Sequence, residues 1–141
     1  MKLKFKKLTE KAKSPNFAHP TDAGMDLYTT KKIILKPNEK IVASTGIAMQ
    51  IPEKHVGLIW DKSGVAIKRG IKILGGVVDS GYRGEILVGL INLSNKEQIF
   101  EEGDKITQIL IQKIEQPEII ETDTLEETDR GKKGFGSTGK N

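Results

Sequence analysis

The chain has 141 residues, room for one compact domain and little more. Hydrophobic residues make up 36% and seven residues are aromatic (one Trp, two Tyr, four Phe), so a core must rest on Ile, Leu and Val. The balance of 23 Lys and Arg against 19 Asp and Glu, net +4, is too mild for a nucleic-acid footprint, and the lack of cysteine excludes disulfides and thiolate metal sites.

Taken in chain order, "KLKFKKL" near the start alternates lysine with apolar side chains, the period-two mark of a half-buried strand. It has no unbroken apolar run, so it reads as neither a signal peptide nor a membrane span. The expectation is a soluble, cytoplasmic protein with no membrane or nucleic-acid partner. "KIIL", "KIVASTGIAMQI" and "HVGLIW" read as further strands, separated by Pro37, Asn38 and Pro52. "SGVAIKR", opened by Ser63, is the one short helix expected. "EILVGLINLS", Glu85–Ser94, is apolar on both faces and reads as an interior strand. In "DKITQILIQKI", Asp104–Ile114, the residues Ile106, Ile109, Leu110 and Ile114 would share a helix face, but the β-branched content favours a strand. Many short strands between glycine turns indicate an all-β barrel or sandwich. From Gln116 onward the chain is polar, acidic over 118–129 and basic over the last twelve residues, and alone it is expected to be mobile.

Five stretches carry chemistry. In "AGMDLY" the carboxylate of Asp26 lies among apolar residues; the plain alternative is a turn aspartate bonding its local backbone. In "DKSGVA", Ser63 and Gly64 at a helix start direct backbone N–H groups to one point, a geometry suited to phosphate, with Lys62 beside it. An ordinary Ser N-cap fits the same residues. In "GGVVDSGYRGEI", Gly75 and Gly76 would let another molecule approach the backbone. Asp79, Ser80 and Gly81 then make a tight turn before Tyr82 and Arg83. A β-hairpin explains the turn residues but not the crowding of Asp, Tyr and Arg. In "GDKITQ", Gln108 is an amide amid Ile and Leu, needing partners if buried and otherwise facing solvent from an edge strand. In "RGKKGFGSTG", Arg130 offers a forked donor, Phe135 a stacking surface, and the glycines a backbone able to wrap a ligand; a solvated basic tail is the plain reading.

In this order, over residues 23–139, the five stretches resemble the five motifs of the trimeric deoxyuridine triphosphatase (dUTPase) family, with "GVVDSGYRG" and the tail the most specific. The resemblance implies a distorted jelly-roll β-barrel over residues 1–115. A C-terminal arm, 116–141, would be exchanged within a homotrimer and close over the active site. It implies hydrolysis of dUTP to dUMP and pyrophosphate with Mg2+ on the triphosphate, which keeps uracil out of DNA and supplies dUMP for thymidylate synthesis.

By the same resemblance Asp79 deprotonates the water that attacks the α-phosphorus, and Tyr82 packs under the deoxyribose. Backbone groups of Gly76, Val77 and Val78 read uracil, while Lys62, Ser63 and Gly64 hold phosphates. Gln108 contacts the phosphate region and Asp26 meets magnesium through water. Arg130 grips the γ-phosphate and Phe135 covers the base, with Gly136, Ser137 and Thr138 beside it. Lys62 departs from the family's usual arginine, keeping the charge but losing the planar fork. Two rivals share the fold. A dCTP deaminase would need a glutamate where this chain has Gly89, and a catalytically silent nucleotide-binding regulator would have no need of Asp79, Tyr82, Arg130 and Phe135 together.

Overall fold

Ten strands and one short helix make up the regular structure of the described residues, 1–132 and 134, in a computed structural model of the chain. They are β1 (Lys4–Lys7), β2 (Met25–Tyr28), β3 (Ile33–Leu35), β4 (Lys40–Gln50), β5 (His55–Trp60), α1 (Ser63–Arg69), β6 (Ile71–Leu74), β7 (Val77–Val78), β8 (Glu85–Asn92), β9 (Gln98–Phe100) and β10 (Lys105–Lys113). One four-stranded antiparallel sheet runs β1-β4-β8-β6 and the other β2-β10-β5-β7, with a two-stranded ribbon β3-β9 alongside. The all-β, jelly-roll expectation holds. Among the described residues no helix is long and apolar enough to cross a membrane.

The core is aliphatic, as the composition requires. One cluster joins Leu35, Ile71, Val88, Leu90, Phe100 and Ile106; the other joins Met25, Leu27, Ile47, Met49, Ile86 and Ile109. Strand β8 links the two, turning Ile86, Val88 and Leu90 inward. Each such side chain, fully buried, contributes roughly 1.5–3 kcal/mol. The same strand leaves Leu87 half exposed, so its apolar outer face is uncovered in the single chain.

Four local expectations change. Strand β1 exposes all four of its residues, Phe5 included, because it is an edge strand paired to β4 alone. The helix begins at Ser63, but the backbone of Lys62 is its cap, and no side-chain capping bond forms. Gln108 is not on an edge, since β10 lies between β2 and β5. Finally, "GGVVDSGYRGEI" is not a hairpin: β7 pairs with β5, β8 belongs to the other sheet, and the turn carries the chain between sheets. Strand β10 ends at Lys113, the N–H of Ile114 reaches the Lys54 carbonyl at 2.9 Å, and no strand or helix follows among the described residues.

Candidate active site

Strand β2 places Asp26 inside the fold, where it is 1% exposed. A buried carboxylate needs a cation, and it has two. Lys62 from the cap of α1 bonds Oδ1, and Lys105 places its Nζ 2.6 Å from Oδ2, a contact by charge rather than a directed hydrogen bond. A register shift between Lys105 and Thr107 accompanies this placement, and such bulges re-aim side chains. Burial pushes the Asp26 carboxyl upward, but the close ammonium groups of Lys105 and Lys62 outweigh it and hold the group below its ordinary range. Bonding to Asp26 in turn raises the Lys105 ammonium. Asp26 is therefore not a turn aspartate.

Gln108 lies opposite Asp26 on one side and Trp60 on the other. Its Nε2 donates to the Asp61 carbonyl at 2.8 Å. Gly24 makes room for this amide, since a Cβ there would stand 2.4 Å from Gln108 Oε1. Asp61 accepts the Ile73 N–H at 2.8 Å on one carboxylate oxygen and Lys72 on the other, so the loop before the helix is tied down on several sides. The Lys62 carbonyl accepts the N–H groups of Val65 and Ala66 at 2.9 and 2.8 Å. The N–H groups of Ser63 and Gly64 precede any carbonyl the helix can offer. Both residues are exposed, and a Cβ on Gly64 would meet nothing within 4 Å.

The second group of residues surrounds the turn after β7. Gly76 has φ +123 and accepts the Ile59 N–H at 2.7 Å, and a Cβ on it would stand 2.8 Å from the Ile59 carbonyl oxygen. The chain's own backbone thus requires this glycine, whatever else approaches it. Asp79 and Tyr82 close the turn through a 3.1 Å backbone bond. Arg83 clasps it by donating to the carbonyls of Ser80 and Tyr82 at 2.6 and 2.8 Å. Tyr82 donates its hydroxyl to the Glu85 carbonyl at 2.9 Å. Val78, Asp79 and Tyr82 line a cleft of about 240 Å³. Strand β7 ends its sheet, so one side of its backbone has no neighbouring strand. The Asp79 carboxylate is exposed and has neither an ion pair nor a side-chain hydrogen bond among the described residues.

The structure gathers Asp26, Lys62, Ser63, Gly64 and Gln108 near the end of β5, and Gly76, Val77, Val78, Asp79 and Tyr82 farther back along it. Trp60 faces Gln108, whereas Leu58 and Gly57 face Val77 and Val78. The cleft at Asp79 has none of Asp26, Lys62 or Gln108 in its walls. Arg130 sits in a turn that Gly131 closes onto the Thr128 carbonyl at 2.9 Å. Phe135, Gly136, Ser137 and Thr138 lie outside the described residues. Lys105 does not stand out in the sequence, although an aspartate among apolar residues is itself a signal that a cation must meet it.

Comparison with known proteins agrees with the resemblance. The family model described as dUTPase matches residues 10–139. The deoxyuridine 5'-triphosphate nucleotidohydrolase of Clostridium tetani is 46% identical over 140 residues, 98% of this chain and 97% of that one. Among solved structures, a mutant dUTPase of Staphylococcus bacteriophage 80alpha with dUpNHpp superposes with a TM-score of 0.92 at 31% identity, covering 98% of both chains. A mutant dUTPase from phage phi11 of S. aureus, described with a coordinated structural Mg(II) ion, superposes with a TM-score of 0.85 at 29% identity, covering 90% of this chain and 100% of that one.

Proposed function

The chain belongs to the dUTPase family, and on that footing we propose that its reaction, hydrolysis of dUTP to dUMP and pyrophosphate, runs by attack of water on the α-phosphorus with Asp79 as general base. The water oxygen bonds to phosphorus, its proton passes to the Asp79 carboxylate, and the bridging oxygen leaves with pyrophosphate. The observation that carries this reading is the exposed Asp79 carboxylate at the wall of a cleft shared with Tyr82 and the open edge of β7. A nucleobase edge fits that strand edge, where backbone N–H and C=O groups of Val77 and Val78 can imitate a base pair. A base with the reversed donor pattern would leave them unpaired, which is costly. Tyr82 lies where the sugar would rest. Lys62 and the N–H groups of Ser63 and Gly64 suit the phosphates. Gln108 acts here by bracing the Asp61 carbonyl beneath Lys62, a positioning role that supports the phosphate loop.

Two lysines occupy both oxygens of Asp26, and among the described residues no three His, Cys, Asp or Glu side chains converge. With both oxygens so engaged, Asp26 would meet magnesium through water, the role expected of it, only where a lysine turned aside. Magnesium carried on the triphosphate would supply positive charge that eases attack on it.

The phosphate-binding residues and the Asp79 cleft do not share one cavity in the single chain. Residues 116–132 also expose Ile119, Ile120 and Leu125 at 95, 73 and 86%. Both features support a homotrimer whose sites draw on more than one subunit. The barrel, 1–115, supplies the two halves, and the arm, 116–141, brings Arg130 to the γ-phosphate and Phe135 over the base of a neighbour's site. A cytoplasmic location accords with the nucleotide substrate and the cysteine-free composition. The deaminase reading lacks its carboxylate: residue 89 of β8 is glycine, and a Cβ there would stand 2.9 Å from the Leu74 carbonyl oxygen, leaving that position no room for a glutamate.

The test is Asp79→Asn assayed with dUTP. Binding should persist while turnover falls by about 10²–10⁴-fold, the usual contribution of a general base. Unchanged turnover would remove Asp79 from this role.

A further inference from the structure

We infer that Gly84 is a specificity-determining positioning residue, acting through the ring of Tyr82. This rests on the reading of Tyr82 as the surface under the deoxyribose.

Tyr82 is 46% exposed and stands at the wall of the cleft, so its own packing does not fix where its ring lies. Two features do. Its hydroxyl donates to the Glu85 carbonyl at 2.9 Å, which folds the ring back across the chain at residue 84. That path is open because residue 84 has no side chain. A Cβ there would stand 2.4 Å from the Tyr82 hydroxyl oxygen, 2.6 Å from Cζ and 3.0 Å from Cε2. All three atoms belong to the far end of one movable side chain, and the backbone of Gly84 does not take the left-handed form that needs glycine. An alanine would therefore be accepted by the chain and would displace the ring.

The acceptor is itself anchored. Glu85 begins β8, and its carboxylate accepts the Gly46 N–H at 2.7 Å and the Ser44 hydroxyl, both from the bulged part of β4. The Glu85 carbonyl is thus a fixed peg, Gly84 the gap, and Tyr82 the part held between them. Discrimination between hydrogen and hydroxyl at the sugar 2′ position depends on a ring held to a fraction of an ångström. Gly84 governs it without touching substrate.

The experiment is a double-mutant cycle on the full-length chain with Gly84→Ala, Tyr82→Leu and the pair, reading the ratio of kcat/KM for dUTP to that for UTP. Leucine lacks Cζ, Cε2 and the hydroxyl, so it removes the three atoms nearest the new methyl. Gly84→Ala should change the ratio at least tenfold in the parent and less than twofold in the Tyr82→Leu background. Thermal unfolding of Gly84→Ala should match the parent within a few degrees. An equal change in both backgrounds would mean that Gly84 acts on the fold and not on the ring, overturning the inference. If Tyr82→Leu keeps the parent's full preference for dUTP, the reading of Tyr82 fails instead.

Discussion

Removing both lysines that face Asp26, as Lys62→Ala with Lys105→Ala, strands a carboxylate that is 1% exposed. Leaving a buried charge without its partner costs about 3–5 kcal/mol in well-enclosed sites. The lysine side chains here are 27 and 43% exposed, so water will reach part of the gap they leave, and a loss of about 2–3 kcal/mol is expected. With a urea m value of about 2 kcal/mol/M, the midpoint should fall by about 1–1.5 M. The assay is urea unfolding at one fixed protein concentration, followed by the emission of Trp60, the single tryptophan of the chain.

The pH dependence carries the sign. In the parent the Asp26 carboxyl is held below its unfolded value of about 3.9, so its stabilisation is present above that pH and is lost as pH falls through the depressed folded value. Without the lysines burial alone acts and raises the group. The penalty in the variant is then full at neutral pH and fades as pH falls through the raised value. The difference between the two proteins should be largest at pH 7 and should narrow toward pH 4. Adding Asp26→Asn to the lysine-free protein should restore most of the lost midpoint at pH 7, because it removes the stranded charge. A midpoint shift below about 0.3 M, or one equal at pH 7 and pH 4, would refute the argument.

Three further outcomes follow from the proposed site. Deleting residues 130–141 should abolish most dUTP turnover while the trimer survives on a sizing column; full activity would show that the arm takes no part. Incubation with dCTP should yield no dUTP or dUMP, because Gly89 is pressed against the Leu74 carbonyl and no carboxylate can stand there. Co-refolding Asp79→Asn subunits with subunits lacking Lys62 and Lys105 should regain a fraction of parental activity, since some sites would combine one intact half from each; none would regain it if every site formed within one chain.

Much of the fold is legible in the pattern of residues. The β-branched stretch at Lys105–Lys113 is a strand despite its helix-like spacing, and "SGVAIKR" is the one helix among the described residues, both in line with local preference. What local preference does not carry is the choice of partner. The residues around Asp79 announce a turn in either case, yet whether it joins neighbouring strands or crosses between sheets depends on β5 claiming β7. The brief strands β2 and β9 show no period, and β6 alternates over only four residues. The site follows the same division. Asp79, Tyr82 and Lys62 stand out by type and setting, whereas Lys105 acts through a bulge and Gln108 through the carbonyl of a distant loop. Gly76 shows the reverse case: its sequence setting suggests a ligand, yet the backbone of Ile59 already requires a glycine there.

The central claim concerns one water, and the most direct measurement is a crystal structure of the chain with a non-hydrolysable dUTP analogue and magnesium. The account predicts an ordered water hydrogen-bonded to the Asp79 carboxylate, at about 3–3.5 Å from the α-phosphorus and opposite the bridging oxygen. An Asp79 side chain turned away from that phosphorus, with the water held by another group, would contradict it.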